Sequence, residues 1–148
     1  MLNDHHKKTL AALLNWMVPS SETHKVPGAG DEKIFKDILA TGEAHEQALI
    51  GSSTALDAIA NESHQTDFLN LPEEECAAVA EAFIKAQPDL VMLLTTLIAR
   101  CYYLDDRVMR SLDMEPRAPW PGGFEVEQGD WSLLDPVRKR PAFYREAP

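Results

Sequence analysis

Cysteine is nearly missing from this chain: Cys76 and Cys101 are the only two in 148 residues. That excludes a disulfide framework, and their spacing is not that of a CxxC redox pair. Both fall on apolar helical stripes, where a thiol behaves as a small hydrophobe, so reduced and buried side chains are expected. A bridge between neighbouring helices is the alternative. Long hydrophobic runs are missing as well. The longest nearly unbroken one, Leu90 to Ala99, is closed by Arg100 and falls well short of the roughly 20 residues that a bilayer span needs. Burial within protein is therefore expected, and no membrane insertion. The first residues, Met1-Leu2-Asn3-Asp4-His5-His6-Lys7-Lys8, contain neither an apolar signal core nor a twin arginine. A cytoplasmic location is the expectation that follows, with a removed export signal as the alternative.

Positive charge is scarce. Fourteen Lys and Arg face 24 Asp and Glu, for a formal net charge of -10. The imbalance sits in residues 31–89, which hold 13 acidic residues against Lys33, Lys36 and Lys85. Such a chain lacks the positive patch that a nucleic-acid backbone requires. Solvated helix faces account for the acidic residues. Arg138-Lys139-Arg140 is a short basic cluster, too small for nucleic acid and suited to meet acidic helices of this chain or of a neighbour.

The arrangements that carry chemistry are also missing. None of His5, His6, His24, His45 and His64 pairs with another at the i, i+3 or i, i+4 spacing of helical metal ligands. Glu43, His45 and Glu46 are close in sequence but do not share a helix face. No Gly-x-Ser-x-Gly turn is present, and Gly28-Ala29-Gly30 has neither a preceding strand nor a third glycine. Glu73-Glu74-Glu75-Cys76 reads as acidic residues at a helix start, without the partner a peroxidase-type thiol needs. No catalytic residue, flavin, haem or metal is expected, and the chain reads as non-catalytic.

What the sequence does contain is helical periodicity. Asn3 or Asp4 precedes Leu10, Leu13, Leu14 and Met17 at i, i+3, i+4 and i+7. A loop from Ser20 to Gly30 follows. Asp31 is placed to cap a second helix bearing Ile34, Phe35, Ile38 and Leu39, with Gly42 as its stop. A third helix spans about Glu43 to Asn61, and Gly51-Ser52-Ser53 is expected to kink or split it. Glu62 to Asn70 reads as a polar connection. Pro72 opens a fourth helix with Cys76, Val79, Ala80, Phe83 and Ile84 inward. Leu90 to Tyr103 is expected to be the central helix, and Asp105 to cap a short sixth bearing Val108, Met109 and Leu112. From Glu115 onward, Pro116, Pro119, Pro121, Pro136 and Pro141 alternate with Trp120, Phe124, Trp131, Phe143 and Tyr144. This segment is too aromatic for a flexible tail and too rich in proline for a helix. The expected fold is an all-α, single-domain bundle of about five or six helices around residues 90–103. Residues 1–114 form the body, and residues 115–148 an extended arm that packs on the body, a second copy or a partner.

The order of apolar helix, Tyr102-Tyr103, Asp105-Asp106-Arg107-Val108, Leu112 and Pro119-Trp120-Pro121-Gly122-Gly123 resembles the C-terminal part of the gluconate 2-dehydrogenase subunit 3 family. Leu10-Ala11-Ala12-Leu13-Leu14 through Val18-Pro19, and Val26-Pro27-Gly28-Ala29-Gly30 leading into Phe35, extend the resemblance over most of the chain. It implies a small, non-catalytic accessory subunit, without a cofactor of its own, that supports maturation or stability of a large flavin-dependent sugar or sugar-acid dehydrogenase subunit. Many relatives carry a twin-arginine export signal and glycine at the position of Asp113; this chain departs from both. Tyr102, Tyr103, Trp120, Phe124, Trp131, Phe143 and Tyr144 are the candidate partner-binding residues. For each tyrosine the simpler expectation is a hydroxyl bonded to backbone near the arm. The alternative function is a stand-alone cytoplasmic helical protein that self-associates through its arm and binds a protein or small molecule.

Overall fold

The computed structural model describes residues 1–118, 120–123 and 125–141. The fold is all-α: α1 (Asp4–Met17), α2 (Glu32–Thr41), α3 (Glu46–His64), α4 (Glu73–Ala86), α5 (Pro88–Tyr102), α6 (Asp106–Ser111) and α7 (Asp135–Arg138). Residues Met1–Pro116 make one unit, and the described residues from Arg117 onward make a second.

Side-chain caps fix where the body helices begin. The Asn3 carboxamide accepts from the His6 amide at 2.8 Å, and the Asn3 amide donates back to the His6 ring. Asp31 accepts from the amides of Lys33 and Ile34 at the start of α2, and Asp105 from that of Arg107 at the start of α6. Leu10, Leu13 and Leu14 of α1 and Ile34 and Ile38 of α2 are buried as their spacing requires. The loop between them folds tightly onto α1: Ser21 and Val26 form a short antiparallel bridge, and the Ala29 amide donates to the Val18 carbonyl at 2.8 Å. Gly30 permits that approach, since a Cβ on it would lie 2.6 Å from the Ala11 carbonyl oxygen.

Three stretches differ from their sequence reading. First, α3 runs unbroken through Gly51-Ser52-Ser53 and on to His64. Ser52 and Ser53 are fully buried, and the Ser52 hydroxyl donates to the Ala48 carbonyl within the helix at 2.9 Å. Glycine's cost of about 1 kcal/mol is outweighed by burial of Leu49, Leu56 and Ala60 on either side. Second, the expected polar connection after Asn61 holds an apolar anchor. Gln65 ends α3 in the left-handed conformation at φ 57°, and Phe68 and Leu71 are then buried. The Phe68 amide donates to the Asp57 carboxylate at 3.1 Å. Third, residues 131–138, expected to be extended, form a 3-10 turn (Trp131–Leu134) leading into α7. Proline is tolerated there because Pro136 lies in the first turn, where an amide has no intrahelical partner to lose. Asp130 caps this turn through the Ser132 amide, and Arg138 pairs with Asp135 at 3.5 Å.

Helix α5 is the element around which the body packs. It meets α4 at a 109° corner with only Gln87 between them, and it also packs against α2 and α3. Leu94, Leu97, Ile98, Cys101 and Tyr102 face the core. Its burial is one-sided, because Met92, Thr95, Thr96 and Ala99 are exposed. No single described helix is long and apolar enough to cross a membrane.

Candidate partner-binding surfaces

The end of α5 places the two tyrosines differently. Tyr102 is buried, and its hydroxyl donates to the Pro27 carbonyl at 3.0 Å. The backbone acceptor matches the simpler expectation for a core tyrosine, and it belongs to the α1–α2 loop. Burial pushes the Tyr102 phenol above its ordinary pKa, so it stays protonated and donating. Tyr103 is 58% exposed and meets the Tyr102 ring edge-on, with centroids 5.5 Å apart. Together with Met17, Val18, Thr95, Ile98 and Ala99 the pair lines an open apolar groove of about 330 Å³. Leu104, beyond Tyr103, is 69% exposed.

From Arg117 onward, Trp120, Trp131, Leu133 and Val137 are exposed. Gly129, Asp130, Trp131, Leu133 and Leu134 outline a shallow apolar depression of about 340 Å³. The other candidates, Phe124, Phe143 and Tyr144, lie outside the described residues.

The structure also brings together a cluster that the sequence did not reveal. Arg107 forks between the two capping aspartates. It donates to Asp31 from both terminal nitrogens, at 2.6 and 3.1 Å, and to Asp105 from Nε at 2.9 Å. Lys33 completes the group with a 3.0 Å bond to Asp105, whose side chain is only 2% exposed. Hydrogen bonds from Arg107 hold both carboxyls below the usual range, Asp105 most strongly, against the upward pull of burial. The same bonds raise Arg107 further above its ordinary value. With its charges paired internally, the group is a clamp joining the starts of α2 and α6. Its local trace in the sequence is Asp105-x-Arg107; the partner Asp31 is 76 residues away and nothing local identifies it.

The remaining polar candidates are pairs between helices. His5 meets Asp57 at 2.8 Å, and His64 meets Glu75 at 2.9 Å. Among the described residues no three His, Cys, Asp or Glu side chains come together as a metal site. Both cysteines are free, Cys101 buried and Cys76 partly so. Burial raises the Cys76 thiol, which keeps it from the thiolate form a nucleophile needs. The arrangement thus offers apolar surface for binding and paired charge for stability. Comparison with protein-family models, with curated proteins and with solved structures gives no match to this chain.

Proposed function

We propose that this chain is a non-catalytic accessory subunit that docks on a large flavin-dependent sugar or sugar-acid dehydrogenase subunit, as its resemblance to the gluconate 2-dehydrogenase subunit 3 family implies. The observation that carries the reading is the pairing of a well-packed body with exposed anchors. Leu13, Leu56, Phe83 and Leu94 are fully buried, whereas Trp120, Trp131, Leu133 and Val137 lie at 84, 59, 74 and 52% exposure. Aromatic and aliphatic side chains on a locally capped turn are the usual anchors of protein interfaces, and leaving several in water is unfavourable unless a partner covers them. Arg138-Lys139-Arg140 supplies a charged rim beside them.

Capture of the tagged full chain from its native cells tests this. The expected eluate contains a large flavoprotein, with flavin absorbance and sugar-acid-dependent dye reduction. Trp131→Ala combined with Leu134→Ala should lose that flavoprotein while the body melts as before. An eluate without flavin, or one that the double substitution leaves unchanged, counts against the reading.

A further inference from the structure

We draw no further inference here: the strongest candidate, the open apolar groove between the end of α1 and α5 lined by Met17, Val18, Thr95, Ala99 and Tyr103, carries none because nothing in the structure shows what covers it.

Discussion

The body and the segment after Arg117 both contain helix, and they hold it by different means. In Met1–Pro116 the helices are 6 to 19 residues long and each buries at least one side chain in a shared core. In the second unit a 3-10 turn and a four-residue helix bury nothing, and every described residue from Ala118 to Pro141 is exposed. Local devices hold that turn: the Asp130 cap, Pro136 in the first turn, and the Arg138–Asp135 pair. Each contributes about 1 kcal/mol or less, whereas burying one large apolar side chain contributes roughly 1.5–3 kcal/mol. The difference teaches that secondary structure alone does not mark the stable part of this chain; shared burial does.

The strongest attempt to break that contrast substitutes one aromatic residue in each unit. Phe83→Ala should destabilise the body by about 3–5 kcal/mol, because Phe83 is fully buried. Trp131→Ala should change stability by no more than about 0.5 kcal/mol. Thermal unfolding followed by circular dichroism checks both, and equal losses would erase the distinction.

A smaller effect is expected at the charged clamp. Arg107→Ala should cost about 1–3 kcal/mol, since it leaves the buried Asp105 carboxylate with only Lys33 and the residue-107 amide as donors. Because Asp105 and Asp31 titrate below their ordinary value when folded, the unfolded chain binds more protons than the folded one in acid. Their contribution is therefore complete above the unfolded value of about 3.9 and is lost as pH falls through the folded values. Urea unfolding at about pH 7 and about pH 3 should show a steep loss for the wild type and a shallower one for Arg107→Ala. A loss of the same size in both would assign the acid sensitivity elsewhere.

The smallest contrast lies within one dipeptide. Tyr102→Phe removes the bond to Pro27 and should cost about 1 kcal/mol, whereas Tyr103→Phe, at an exposed ring, should be near neutral. Indistinguishable melting curves for the two variants would contradict the different burial of neighbouring rings.

What the sequence made legible was local. Asn3, Asp31 and Asp105 marked helix starts because a cap is a short-range bond, and Leu10, Leu13 and Leu14 marked a face because helical period is short-range too. Gly51-Ser52-Ser53 misled because propensity knows nothing of the neighbours against which Ser52 and Ser53 are buried. Phe68 was hidden among polar residues, and only the fold brings Asp57 to its amide. Arg107 gave no local sign of its partner Asp31, which it meets only where α2 and α6 begin. In the second unit, counting prolines overlooked that Pro136 occupies a position where proline is harmless. Of the candidate surface residues, Tyr102 proved a core anchor, while Tyr103, Trp120 and Trp131 are exposed.

The position of α5 along the chain fixes when the body can close during synthesis. It is the fifth of six body helices, and three of those it packs against, α2, α3 and α4, are all made before it. A nascent chain ending before Leu94 therefore presents α2, α3 and α4 without the helix that they all pack against, a state in which exposed apolar surface invites aggregation. Closure arrives almost at once when α5 emerges, and the Tyr102 hydroxyl reaching Pro27, 75 residues upstream, is one of its last stitches. Ribosome pausing before Tyr102, or a nonsense mutation in α4, would thus yield a product prone to proteolysis, whereas interruption after Pro116 would release a body already whole.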